Sequence, residues 1–350
     1  MTLKDRIIRL IETGGPIPVS TYMQLALHDS AQGYYATRPG LGTDFITAPE
    51  VSQVFGELIG LALAQTWLDQ DRPAPFSLAE LGPGRGTLAR DALRSMAQFG
   101  LRPEVHLIEG SPALRAIQGE AVPGAHFHED LTGVPEDRPL LLVANEFFDA
   151  LPVRQLVRTE AGWRERMVGL GEDDRFVFVA GDQPMDSAVP DRFASCDKGT
   201  IIETGPAASA VMSEIARRLA VQGGVALAVD YGHLASRTGS TLQAIARHAK
   251  VDPLADPGTA DLTAHVDFAA LAEAADVPGV RCLGSATQGA WLPSLGIDAR
   301  AASLSKAAPE RAGEIEAARS RLVDADQMGE LFKVIAFAGA DWPDAAGLAL

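Results

Sequence analysis

Cysteine is nearly absent from this chain of 350 residues, which has two, Cys196 and Cys282, far apart and without metal-ligand spacing. That excludes a disulfide framework and a cysteine-based zinc site, and both thiols read as ordinary core or surface residues. Basic residues are also short: 30 Lys and Arg stand against 46 Asp and Glu, a formal net charge of −16. A protein that grips nucleic acid needs a clustered basic surface, so a nucleic-acid partner is not expected and a basic or neutral one suits the chain better. Long apolar runs are missing too. The most apolar stretch, G-E-L-I-G-L-A-L-A-Q-T-W-L (56–68), is too short to span a bilayer and carries Glu57, so it reads as a buried helix and no membrane insertion is expected. At the N-terminus Leu3, Ile7, Leu10 and Ile11 recur at helical spacing among Lys4, Asp5, Arg6, Arg9 and Glu12, which is an amphipathic helix rather than an export signal. The chain is expected in the cytoplasm.

What remains, 47% hydrophobic and 22% charged residues, is enough to build a sizeable core. Helical patterns fill 2–12, 19–29 and 50–69 before D-R-P-A-P (71–75) interrupts. Strand and helix patterns then alternate: strand 76–81, helix 87–99, strand 104–109, helix 112–118, a short strand near 125–128, and the apolar run L-L-L-V-A (140–144). The order predicts βαβ units, and the five-residue run suits a parallel strand buried on both faces. A hairpin-like section (154–180) and a polar loop follow. Helix 207–220 and strand 225–231 resume the alternation, with further elements at 267–275 (helical), 279–287 (strand), 298–326 (helical) and 331–339 (strand). The sum is an α/β protein with a doubly wound, mostly parallel, Rossmann-like sheet. Residues 1–75 form a helical extension and possible lid, 76–235 the nucleoside-binding core with an insertion at 154–205, and 236–350 a substrate-side segment with the last core strands.

Sheets of this kind bind ligands beyond the carboxyl ends of their strands. The loop after the first core strand, E-L-G-P-G-R-G-T (80–87), sets Gly82, Gly84 and Gly86 on alternate positions there, where bare backbone lets a ligand approach. The nicotinamide fingerprint is G-x-G-x-x-G; this spacing, preceded by Glu80, is closer to the E-x-G-x-G-x-G of S-adenosylmethionine-dependent methyltransferases. Glu109 ends the next strand in H-L-I-E-G-S, where a carboxylate can accept both hydroxyls of a ribose. Asp130 ends the third and can meet an adenine amino group. His126 and His128 nearby lack further ligand partners, so no metal is expected. The fourth strand ends in N-E-F-F-D (145–149), where Asn145, Glu146 and Asp149 surround two aromatic rings, a site for a cation. In T-D-F-I-T-A-P-E (43–50), Asp44, Thr47 and Glu50 precede a helix, and Pro39, Gly40 and Gly42 suit a loop that closes over the cofactor. Asp267 reads as a helix N-cap and His265 as a pocket residue able to relay a proton.

These motifs, with G-Y-Y (33–35), D-Y-G (230–232), D-L-T-A-H-V-D-F (261–268) and M-G-E-L-F-K-V (328–334), resemble the MidA-like family of S-adenosylmethionine-dependent methyltransferases over nearly the whole chain. The resemblance implies a class I methyltransferase fold. It also implies, through the family's mitochondrial member, dimethylation of a protein arginine on a respiratory complex I subunit during assembly. In that reaction Glu146 and Asp149 would hold the guanidinium, because an arginine that stays protonated needs carboxylates to fix its planar fork and receive its proton. Two other classes fit the residues: a non-catalytic assembly factor that keeps the cofactor pocket, and an NAD(P)-dependent oxidoreductase.

Overall fold

The computed structural model describes residues 1–37 and 47–348. Its centre is a sheet whose first strands are β1 (Ser77–Leu81), β2 (Glu104–Ile108), β3 (His126–His128), β4 (Leu140–Asn145) and β5 (Gly224–His233). They lie in the order β3-β2-β1-β4-β5, each pair parallel. Two antiparallel strands, β6 (Val280–Thr287) and β7 (Phe332–Gly339), extend it, with β7 beside β5 and β6 at the edge. The architecture is therefore a mixed α/β sheet.

Why L-L-L-V-A forms its central strand is visible in the packing. Leu141 and Val143 point to one face, where they meet Leu58 and Leu63 of helix α1 (Gln53–Asp69) and Leu88 of α2 (Thr87–Met96). Leu140, Leu142 and Ala144 point to the other, against Met212, Ile215 and Leu219 of a helix at Pro206–Gln222. A strand at the middle of such a sheet has no face left for water, so period-two alternation disappears from its sequence. Fully burying each Leu or Val stabilises the fold by roughly 1.5–3 kcal/mol.

Helix α1 is apolar around most of its circumference because it too is enclosed. Its one buried acid, Glu57, is held between Arg94 and Arg300 at 2.9 and 2.8 Å. The expected helix over 50–69 is broken at Ser52, whose extended backbone lets its hydroxyl cap α1 by accepting from Val54 N–H. No helix among the described residues is long and apolar enough to cross a membrane.

The inserted segment folds as antiparallel strands at Arg154–Thr159, Gly162–Leu170, Phe176–Pro184 and Ile201–Thr204. The N-terminal helices (Leu3–Gly14 and Val19–His28) pack on this small sheet and on a three-stranded one at 243–263: Ile7, Tyr22, Met23 and Leu27 share a cluster with Val168, Phe176 and Leu262. The chain's front thus becomes a wall above the carboxyl ends of β1 to β4. The 298–326 pattern resolves into two helices, Ile297–Ala307 and Ala312–Val323, joined through Pro309.

Candidate active site

A cavity of about 1000 Å³ lies over the carboxyl ends of β1 to β4. Among the described residues that line it, nine carry a carboxylate (Glu50, Glu80, Glu109, Glu129, Asp130, Glu146, Asp149, Glu214 and Asp261) and Arg85 alone carries a guanidinium. Such a lining selects cations.

The glycine loop forms one wall. Gly82, Gly84 and Gly86 all have positive φ, at 60°, 54° and 76°. Gly82 and Gly84 line the cavity; Gly86 does not, and instead starts α2. A Cβ on Gly82 would come within 2.9 Å of the Phe147 ring, so at this point the loop and the segment after β4 touch backbone to ring. Glu80 is buried, and burial pushes its carboxyl up to about 8 although it accepts a hydrogen bond from Ala89 N–H at the start of α2. Its Oε2 has no partner among the described residues.

Glu109 sits at the tip of β2, where Oε1 accepts from Ser111 N–H (2.8 Å) and Oε2 from Gln118 Nε2 (3.2 Å). The same Gln118 amide donates to the Gly84 carbonyl at 2.7 Å, tying the acid to the glycine loop. Burial raises the Glu109 carboxyl, against the hydrogen bonds. Asp130 lines the rim and caps a short turn: Oδ1 accepts from Thr132 N–H (2.8 Å) and Thr132 Oγ1 (2.5 Å), which lowers its pKa.

The segment after β4 supplies the opposite wall. Asn145 is 6% exposed; its Nδ2 donates to Glu146 Oε1 at 3.1 Å, while its Oδ1 has no partner among the described residues. Glu146 has φ +51° and accepts from Ala48 N–H at 2.9 Å, so the front motif reaches the site at Ala48. Burial pushes Glu146 up to about 8, with Asp149 adding to the rise. Asp149, also buried, is raised to about 6 by burial, against hydrogen bonds from Tyr231 and backbone N–H.

His265 is not brought to this cavity. It lines a separate cleft of about 40 Å³ with His233 and Arg237, where Arg237 donates to Nδ1 at 3.0 Å. Burial and the neighbouring cations hold it down to about 4. A ring so placed is neutral with one nitrogen occupied, and the relay role is not carried forward. Thr47 and Glu50 line the cavity, and Thr47 makes no side-chain cap. The other lid residues, Pro39, Gly40, Gly42 and Asp44, lie outside the described residues. Asp267 caps the helix Phe268–Ala274 by accepting from Ala270 N–H.

Sequence reasoning about chemistry missed several residues at the site. Asp261 and Tyr35 line the cavity, with the Tyr35 hydroxyl donating to Asp261 Oδ1 at 3.2 Å. Asp230 lies beneath it and grips the 147–149 backbone. The signal for Asp230 was an acid within the apolar run V-A-L-A-V-D-Y.

Comparison with known proteins decides the family. Residues 58–286 match the family described as "Putative S-adenosyl-L-methionine-dependent methyltransferase". The chain belongs to the S-adenosyl-L-methionine-dependent methyltransferases. It is an enzyme that uses S-adenosyl-L-methionine, and the nicotinamide alternative is set aside. Among curated relatives, the mitochondrial protein arginine methyltransferase NDUFAF7 of Xenopus tropicalis is 37% identical over 95% of this chain and 84% of its own. The human protein of that name is 38% identical over 83% of this chain and 72% of its own. A solved structure from Burkholderia thailandensis bound to S-adenosyl-homocysteine superposes with a TM-score of 0.85 at 30% identity, over 99% of this chain and 94% of that one. The expectation of a cytoplasmic chain is corrected by these comparisons, because the curated relatives are named mitochondrial proteins.

The methyltransferase cavity fits its cofactor on its own features. The partnerless Glu80 Oε2 and Asn145 Oδ1 are acceptors suited to an ammonium or hydroxyl donor, and Gly82 leaves no room for a side chain.

Proposed function

We propose that this methyltransferase acts on a protein arginine, and that its substrate is a respiratory complex I subunit methylated during assembly. The observation that carries the arginine is the lining of the cavity: Glu146 and Asp149 stand on one short segment among further carboxylates, an arrangement for a second cation beside the cofactor's sulfonium. The relatives named protein arginine methyltransferase support it, and the motif resemblance supports the complex I substrate.

In this reading the fold is the class I, Rossmann-like, doubly wound arrangement. Residues 76–235 hold the cofactor, 1–75 cover it, and 236–350 complete the substrate side. Glu80 and Asn145 receive the cofactor's amino-acid end, Gly82 and Gly84 admit it to the backbone, and Gly86 lets α2 begin close to the helix Pro112–Ala121. Glu109 takes the ribose hydroxyls and Asp130 the adenine amino group.

When bound, S-adenosyl-L-methionine supplies an electrophilic sulfonium methyl group and leaves as a neutral thioether. The chain supplies alignment, which can be worth roughly 7–11 kcal/mol. Glu146 and Asp149 fix the guanidinium plane by paired hydrogen bonds, so that one nitrogen faces the methyl carbon, and the carboxylates accept the proton released as the N–C bond forms. Their raised pKa values suit that last step, since a carboxyl near 6 to 8 takes a proton at neutral pH more readily than one near 4.

The test is methyl transfer from labelled cofactor to complex I subunits isolated from cells lacking this protein, with the modified residue located by mass spectrometry. Label on an arginine is the expected result. Label on another residue type, or client binding without any label, would overturn the reading, the second in favour of a non-catalytic assembly factor.

A further inference from the structure

The D-Y-G stretch at the end of β5 directs its polar groups at the segment that carries Glu146 and Asp149. Asp230 is fully buried. Its Oδ2 accepts from three consecutive backbone N–H groups, those of Phe147 (3.1 Å), Phe148 (2.9 Å) and Asp149 (3.2 Å), and its Oδ1 from Tyr231 N–H (2.9 Å). Three successive amides converge on one oxygen only if the chain curls tightly, and the curl opens at Glu146, a non-glycine residue at φ +51°. That conformation is unfavourable for an L-residue and persists when its surroundings hold it. Burial and the neighbouring Asp149 and Glu146 push the Asp230 carboxyl well up, yet both of its oxygens accept N–H bonds, from four amides in all, and those contacts are the hold.

Tyr231 acts on the side chain rather than the backbone: its hydroxyl donates to the Asp149 carboxylate. Gly232 completes the device. A Cβ there would lie 2.1 Å from the Val266 carbonyl, so only glycine allows β5 to pair with Val266–Asp267. Just before that pair, Ala264 N–H donates to the Asp149 carbonyl at 3.0 Å. Asp149 is thereby held at its amide, its carbonyl and its carboxylate by β5 and the strand beside it.

We propose that Asp230 and Tyr231 are positioning residues for methyl transfer, Asp230 fixing the backbone curl that presents Glu146 and Asp149 together and Tyr231 fixing the Asp149 carboxylate within it. This rests on the reading of Glu146 and Asp149 as the acceptor-holding pair. Neither residue lines the cavity, so neither touches the acceptor; they act through the two acids.

The experiment uses the full chain saturated with S-adenosyl-homocysteine and N-acetyl-L-arginine methylamide as the probe. In Asp230→Asn, which keeps only one of the two acceptor oxygens, the expected result is S-adenosyl-homocysteine affinity within about twofold of wild type, probe affinity lowered about tenfold, and the amide proton resonances of Phe147, Phe148 and Asp149 shifted upfield as their acceptor is weakened. Tyr231→Phe should leave those three resonances in place and lower probe affinity about threefold. Unchanged probe affinity in Asp230→Asn overturns the proposal, as does a parallel loss of S-adenosyl-homocysteine affinity, the mark of a merely structural role. If Asp230→Asn does not fold, Tyr231→Phe decides in the same way: reduced probe affinity supports the proposal and unchanged affinity overturns it. Wild-type protein that binds the lysine counterpart of the probe as well as the arginine one would sink the arginine assignment. The three amide resonances in Asp230→Asn would still test the positioning of the segment.

Discussion

Replacing Glu80 by Gln should stabilise the cofactor-free protein while weakening its hold on the cofactor. Burial raises the Glu80 carboxyl to about 8, whereas in the unfolded chain a glutamate titrates near ~4.3. The native state therefore keeps this proton to higher pH than the unfolded state does. The associated stability is complete below about pH 4 and is lost at about 1.4 kcal/mol per pH unit as pH rises to about 8. By neutral pH the loss reaches at most about 3–4 kcal/mol. Gln removes that term but leaves its amide nitrogen where the partnerless Oε2 stood, which returns about 1–2 kcal/mol. The net gain is about 2 kcal/mol at pH 7, a rise in melting temperature of roughly 3 °C, and near pH 4, where the proton term vanishes, the amide nitrogen leaves the variant about 1–2 kcal/mol less stable than wild type. The opposite sign is expected for S-adenosyl-homocysteine, whose affinity should fall about tenfold with the loss of a charge-assisted contact. Melting curves across pH 4 to 9 with and without the ligand, together with calorimetric titration, read both effects. A variant that melts lower than wild type at pH 8 and binds the ligand equally well would refute the reasoning.

Three further outcomes follow from the same geometry. The kcat/KM for the protein acceptor should climb between about pH 6 and 8 and then level, because Asp149 and Glu146 must shed their protons to hold a guanidinium; a profile flat or falling over that range contradicts it. Gly82→Ala places a Cβ in the left-handed region against the Phe147 ring, a cost of about 1–2 kcal/mol before the ring moves, and should weaken S-adenosyl-homocysteine about tenfold by calorimetry; wild-type affinity would show the loop can yield. Arg218→Met removes a fully buried guanidinium that donates to the carbonyls of Leu131 and Val134 and to Glu214, and should cost about 1–3 kcal/mol in chemical denaturation, since Leu131 and Glu214 keep other donors but the Val134 carbonyl loses its guanidinium; no measurable loss would mean water replaces the arginine.

The sheet was legible where enclosure erased alternation. L-L-L-V-A and V-A-L-A-V-D-Y read as buried strands, and the apolarity of 56–68 marked an enclosed helix. Less could be read where local sequence is indifferent. The strands Gln243–Ala246 and Ala249–Val251 carry no sustained apolar alternation, and the helix Gln288–Ser294 contains Pro293, which argues against helix locally and is overridden by the burial of Trp291 and Leu292. Glu80, Glu109, Asp130 and Glu146 could be placed at the cavity because each lies at or just past the carboxyl end of a sheet strand. Asp230 and Tyr35 act through partners far away in sequence, which no local pattern encodes. His265 shows the converse: it follows a short strand close to the site, yet its ring packs edge-on against Tyr231 and accepts from Arg237, 28 residues earlier, in a separate cleft.

The most direct test is single-turnover methyl transfer from pre-bound S-adenosyl-L-methionine to an arginine-bearing complex I subunit, comparing wild type with the double variant Glu146→Gln/Asp149→Asn. The account predicts arginine label with wild type, and in the double variant a rate at least about a hundredfold lower with S-adenosyl-homocysteine still bound, a loss of about 2.7 kcal/mol in transition-state stabilisation. Transfer at the wild-type rate by the double variant would contradict it.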